Sequence, residues 1–255
     1  VQPASTAIEI RGAALGLLDD PLLLGARGAG EEAARSLLWR ARFRDDDGRV
    51  WQASAETAEG LAGAWTPAKA TTGPLAALQS LRPVSLDVHV EATDGRGAKR
   101  TLSRALVGEG VRIRRWREPG LLATLHLPAG ASCATVAIDA TAGPHPAAVA
   151  ALAAPLLASR GVLTLVVPAS RDHGPAAETL PIASARLASV PGAASEPVVL
   201  RAVDPFDAAP SAAGDSLVVL PPGVAARGED GAVAARAAAW DALLAGLGAR
   251  PRALS

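Results

Sequence analysis

The chain has 255 residues with 25 Lys and Arg against 25 Asp and Glu, so its formal net charge is zero and its pI about 7.1. That balance argues against a partner held mainly by long-range field, which sets aside a nucleic-acid backbone or an anionic membrane surface. With 49% hydrophobic and 20% charged residues the chain is too apolar for disorder, and its length suits one large domain or two modest ones.

The first half reads as short strands and turns. Leu37 to Arg44 alternates from Trp39 onward, Asp45-Asp46-Asp47-Gly48 supplies a tight turn, and Val50 to Ala53 resumes. An Asp-Gly between two alternating runs is a strong hairpin signal. Val84 to Val90 alternates and ends at Asp94-Gly95, after which Thr101 to Val107 returns as a partner strand. Val111 to Arg114 and Leu121 to Leu127 flank a Pro119-Gly120 turn. Strands this short and closely spaced predict a β-sandwich.

After Pro128 the pattern changes. Thr135 to Ile138 and Val162 to Val167 are apolar runs of the kind buried on both sheet faces. Between them Pro146 to Arg160 carries Ala and Leu at helical spacing, opened by a proline and closed by Gly161. Strand, helix, strand makes a βαβ unit with its right-handed crossover. Ile182 to Val190 reads as a second helix, Pro197 to Ala202 and Ser216 to Leu220 as further strands, and Ala225 to Leu247 as an Ala-rich helix interrupted near Gly228 to Gly231. The switch from hairpins to βαβ puts the domain boundary near residue 110, giving domains of 1–110 and 111–255.

Composition adds little about function. Ala makes up roughly a quarter of the chain, Tyr and Met are missing, and nearly all basic residues are Arg, which speaks of a GC-rich coding bias. A single Cys excludes a disulfide framework and a Cys-based zinc site. No run approaches 18 uninterrupted apolar residues, so no membrane-spanning helix is expected. The chain opens on Val1, which leaves both a cytoplasmic protein and one exported after loss of a leader open.

Several segments are similar to one family. Leu18-Asp19-Asp20-Pro21 and Arg40 to Trp51 resemble the amino-terminal domain of acyl-CoA thioesterases and bile acid-CoA:amino acid N-acyltransferases. Thr72 to Pro83 is similar to that family's Gly-Leu-Leu-Trp-Ser-(Met/Leu)-Arg-Pro segment. Arg115 to Pro128 resembles the entry into its catalytic domain, and Ala154 to Gly161 that domain's first helix. The resemblance covers the chain to about Val167 and weakens beyond. It implies an immunoglobulin-like β-sandwich followed by a reduced α/β-hydrolase-like domain with a mostly parallel sheet, acting on acyl-CoA thioesters through a Ser or Cys nucleophile, an Asp and a His.

The residues for that chemistry are not in their expected places. No Gly-x-Ser-x-Gly or Gly-x-Cys-x-Gly occurs, although the strained nucleophile turn needs both glycines sterically. Asp204 occupies the elbow position after the third buried strand, followed by Pro205, which has no N–H to serve as an oxyanion donor. Losing one such donor typically costs about a hundred- to a thousand-fold in rate. The loop that should bring the second donor reads Asp139-Ala140-Thr141-Ala142-Gly143-Pro144-His145-Pro146, so Asp139, Gly143 and His145 mark a vestigial oxyanion loop. The last His is His173, which precedes the elbow instead of following it. Ala234 to Leu244 resembles the family's final helix, but the His expected before it is missing. Without a base, a hydroxyl or thiol stays protonated and weak near neutrality.

The remaining candidates have ordinary readings beside the functional ones. Arg112, Arg114, Arg115 and Arg117 could receive CoA phosphates, or form the charged outer face of a strand. Ser170-Arg171-Asp172-His173 has the residue types of a triad, but neighbours on one loop do not converge as a relay. Cys133 reads as a packed, inert thiol, and Trp39, Trp51 and Trp65 as sandwich core or rim. No metal-ligand spacing and no Gly-rich phosphate loop occurs, so no cofactor or metal is implied. The expected protein is therefore a degenerate member of the family, without the triad and serving as a binding or interaction module. The alternatives are an active acyl-CoA hydrolase or acyltransferase, and an altered sequence without a selected function.

Overall fold

A computed structural model describes residues 7–20, 23–28, 37–44, 48, 50–58, 61, 66–67, 83–118, 121–142, 144–168, 176–202, 216–217 and 230–252, with backbone alone at 66–67, 144–145, 176–178, 216–217 and 230–237. Among these residues the chain is rich in sheet: fourteen strands and three helices. The strands are β1 (Glu9–Arg11), β2 (Leu15–Leu17), β3 (Gly25–Arg27), β4 (Leu37–Arg44), β5 (Val50–Ala55), β6 (Thr66–Pro67), β7 (Val84–Ala92), β8 (Gly97–Ala105), β9 (Arg112–Glu118), β10 (Leu121–Leu127), β11 (Ala134–Ala140), β12 (Val162–Pro168), β13 (Val198–Ala202) and β14 (Ser216–Leu217). The helices are α1 (Pro144–Ser159), α2 (Ala176–Ala188) and α3 (Asp230–Gly246).

The first large sheet has the order β2-β8-β7-β4-β5-β6. Every pair in it is antiparallel except β2 with β8. Alternation sets its two faces. Along β4, Leu37, Trp39, Ala41 and Phe43 are buried while Arg40, Arg42 and Arg44 are exposed, as period two requires of a half-buried strand. The register places Phe43 against Trp51, whose rings stack at 6.2 Å and 7°. Gly48 and Gly95 adopt φ of 77° and 79°, the left-handed conformation a hairpin turn demands. Trp39 and Trp51 are core residues here; Trp65, Asp45 to Asp47 and the segment 72–82 lie outside the described residues. A separate antiparallel pair, β1 with β3, was not anticipated, nor was β2, because three-residue strands leave no periodic signal.

The second sheet has the order β14-β13-β11-β12-β10-β9. It is parallel from β14 through β12, and β10 runs antiparallel to both β12 and β9. Strand β11 is buried along both faces, with Val136 and Ile138 on one side and Ala137 on the other. Leu121, Ala123, Leu125, Ala137, Leu163, Leu165 and Val167 pack with Ala183 and Leu187 of α2. The opposite face joins α1, α3 and the inner face of the first sheet in one continuous core. Helix α1 is sunk between them, buried on nearly every side from Leu152 to Ser159, which is why its sequence is apolar all round.

Several bounds differ from the expectation. Helix α2 begins at Ala176, passing through Pro181, whereas the sequence pattern suggests Ile182. Strand β8 starts at Gly97, immediately after the turn, because its first residues pair with β7 while remaining polar. No described helix is long and apolar enough to cross a membrane.

Candidate functional site

Parallel sheets place function at the carboxyl ends of their strands. Here β11 ends on Asp139-Ala140 and β13 on Arg201-Ala202, with Asp139 and Arg201 adjacent in the register. Asp139 is only 4% exposed. Its Oδ1 accepts hydrogen bonds from Thr141 N at 3.0 Å and Thr141 Oγ1 at 2.6 Å, and its Oδ2 lies 3.6 Å from Arg201 Nε. A carboxylate bonded to the backbone two residues on is an Asx turn. The loop therefore spends the Thr141 N–H on its own aspartate. Gly143 and Asp204 fall outside the described residues, as do Ser170 to His173. His145 lies in the first turn of α1, its side chain outside the description.

The arginines of β9 do not gather on one side. Regular pairing with β10 puts Arg112 and Arg114 on one face and Arg115 and Arg117 on the other, at an edge of the sheet. All four side chains are exposed. Cys133 is a correction: it is exposed, not packed, and its thiol donates to Gly161 O at 3.3 Å. The residue precedes β11 at the amino end of the sheet, where the core stops. Among the described residues no three His, Cys, Asp or Glu side chains come together as a metal would require.

A buried polar cluster lies elsewhere among the described residues, between the two sheets. Asp19, with no exposed surface, follows β2; Arg160, 5% exposed, ends α1; Trp240, fully buried, lies on α3. Arg160 Nη2 donates to Asp19 Oδ1 at 2.9 Å and to Asp20 Oδ1 at 2.6 Å, and Trp240 Nε1 donates to Asp19 Oδ2 at 2.8 Å. Arg160 Nη1 also reaches Pro251 O at 2.6 Å, and Arg252 Nη1 reaches Asp19 O at 3.2 Å. Burial pushes the Asp19 carboxyl above its usual range, against the pull of Arg160 and Trp240. Burial works against the charge of Arg160 as well, but Asp19 and Asp20 outweigh it and hold its pKa up. Arg104, buried at 4% exposure, sits beside Asp20; burial lowers its pKa and Asp20 partly restores it. Gly16 makes room for this pair, since a Cβ there would stand 3.1 Å from both Arg104 Nη1 and Asp20 Oδ2. Two carboxylates against two guanidiniums leave the cluster neutral, the condition under which buried charges are tolerated.

Spacing and composition give no reason to single out these residues. Asp19, Asp20 and Arg160 are instead contained in the family-like segments, and Trp240 in the segment resembling the family's last helix. Only the three-dimensional arrangement shows that these segments meet. His126 was likewise unmarked: on β10, 5% exposed, its Nδ1 has no hydrogen-bond partner. Burial lowers its pKa to about 4, although the Thr124 and Thr164 backbones favour the charged form.

Compared with known proteins, the chain matches no family model and no curated sequence.

Proposed function

We propose that this chain is a non-catalytic relative of the acyl-CoA thioesterases and bile acid-CoA:amino acid N-acyltransferases. In this reading an immunoglobulin-like sandwich is joined to a shortened α/β-hydrolase-like domain, and the protein serves as a binding or interaction module. The observation that carries the loss of catalysis is Asp139. In a hydrolase of this kind the loop after the third strand of the domain turns an N–H toward the developing oxyanion. Here the corresponding loop follows β11, and its Thr141 N–H is taken by the Asp139 carboxylate. A fixed negative group at that point would raise the energy of a tetrahedral oxyanion.

Two further features support the family part of the reading. The succession β11, α1, β12, α2, β13, with β10 antiparallel beside β12, suits a hydrolase-type sheet whose elbow would follow β13. The Asp19–Arg160–Trp240 cluster gives the family-like segments a shared physical task, which is to join the first sheet to α1 and α3. Such a task survives the loss of catalysis, because it serves the fold.

The test is direct. Purified protein incubated with medium- and long-chain acyl-CoA and a thiol reagent should release CoA no faster than buffer. Robust turnover would overturn the reading. If a weak rate is found, Asp204→Ala should leave it unchanged; a large loss would make Asp204 a working group. A cooperative thermal transition is also expected, and its absence would favour an altered sequence without a selected fold.

A further inference from the structure

We propose that the outer face of the first sheet binds a small molecule carrying a diphosphate group. The face is concave, enclosing about 840 Å³ against strands β4, β5, β7 and β8. That volume lies within the range of small-molecule sites, roughly 300–1,000 Å³.

Its chemistry is set by register. Arg40 pairs with His89, and His89 with Lys99, so one row across three strands presents guanidinium, imidazole and ammonium. Arg42 stands one row further along β4, opposite Asp87, and Arg44 beyond it. Two carboxylates share this face: Glu91 is paired with Arg40, while Asp87, opposite Arg42, is held by a neutral hydroxyl and keeps its charge. Glu91 holds Arg40 at 2.9 Å, and Asp87 accepts the Thr101 hydroxyl at 2.8 Å. Arg42 and Lys99 have no hydrogen-bond or ion-pair partner among the described residues.

Strand spacing of about 4.8 Å and a two-residue repeat of about 6.8 Å put the Arg42 and Lys99 backbones roughly 12 Å apart on the diagonal. Arginine and lysine side chains are long enough to close on a group the size of a diphosphate from that separation. A guanidinium fork matches two phosphate oxygens at once, and an ammonium neutralises the second phosphate as a point charge. On the diagonal between them stand two β7 residues, His89 as a further donor and Asp87, whose charge the surrounding cations offset. A lone carboxylate would satisfy only one of the two free cations.

This site is independent of the carboxyl edge of the second sheet, so it stands or falls apart from the question of hydrolysis. The experiment is a calorimetric titration of the full chain with inorganic pyrophosphate, and in parallel with ADP, inorganic phosphate and succinate. Pyrophosphate and ADP are expected to bind in the sub-millimolar range, at least about tenfold tighter than phosphate or succinate, and more weakly as salt is raised. Arg42→Gln with Lys99→Gln should weaken pyrophosphate at least about tenfold while leaving the thermal transition in place, since both side chains are exposed. Arg112→Gln, on the edge of the other sheet, should change nothing. Equal affinity for all four anions, no effect of the double substitution, or an equal loss from Arg112→Gln would overturn the proposal. Binding of ADP without pyrophosphate would do so too, because it would assign recognition to the nucleoside.

Discussion

Asp19 and Asp139 are both buried carboxylates, and their surroundings could hardly differ more. Asp139 is satisfied by Thr141, two residues away, and by one largely exposed arginine. Asp19 is satisfied by Arg160 and Trp240, which lie 141 and 221 residues further along the chain. One carboxylate closes a turn; the other joins three elements across the middle of the molecule. Burial alone therefore says little about a charged group's role. What decides is how far its partners are drawn from, because a long-range partner exists only in the folded state and its loss cannot be repaired locally.

The comparison is broken most severely at Arg160. Arg160→Ala leaves two acidic groups buried without their common partner, and should cost about 3–5 kcal/mol, seen as a large fall in the denaturation midpoint. A loss no greater than that of a surface arginine would refute the long-range role.

The next largest effect is acid sensitivity from His126. Its folded pKa of about 4 lies below its ordinary value of 6.5, so the unfolded chain takes up the proton first as pH falls. Its contribution is full above pH 6.5 and shrinks through the window down to pH 4, by about 3 kcal/mol. Asp19 acts in the opposite sense, since a raised carboxyl pKa favours the folded state on acidification. The difference between the native protein and His126→Leu isolates the imidazole: their stability profiles should diverge between pH 6.5 and 4, with the variant the flatter. Parallel profiles would mean that the imidazole is hydrated in solution.

Trp240→Phe keeps the buried ring and removes the N–H that Asp19 Oδ2 accepts. A hydrogen bond to a charged group is worth about 2 kcal/mol, and urea titration at neutral pH should show a loss of that size. At Asp139 the expected change is smaller. Asp139→Asn keeps the turn oxygen and surrenders only the contact with Arg201, for less than about 1 kcal/mol, and it should not create acyl-CoA hydrolysis. Smallest of all is Arg40→Ala, which breaks an ion pair 51% and 43% exposed at its two side chains and should cost about 0.5 kcal/mol or less. If Arg40 and Arg160 substitutions proved equal, the contrast between the two kinds of charge would collapse.

Much of the sheet framework was legible because its signals are local. Leu37–Arg44, Val50–Ala55 and Val84–Ala92 alternate, and the intervening Asp-Gly pairs supply φ values that only a few residues tolerate. The apolar runs Thr135 to Ile138 and Val162 to Val167 read as strands covered on both faces, and they lie within β11 and β12. The four arginines of β9 show where such reading stops. Read as the charged outer face of one strand, they would share a side, but the pleat divides them between two faces. Cys133 was misplaced for a related reason, since a residue next to a buried strand need not share its burial.

Sequence alone determined the alternating first sheet, the apolar strands and central helix of the second, and the lack of a Gly-x-Ser-x-Gly or Gly-x-Cys-x-Gly motif. Each rests on neighbours a few residues apart, whose spacing has a direct geometric meaning. Tertiary structure decided which charges were buried, which of them met, and which face of a strand each one took. Asp19, Arg160 and Trp240 carry no mark of their meeting, because electrostatic partnership depends on distance in space, and folding sets that distance through the packing of the whole core.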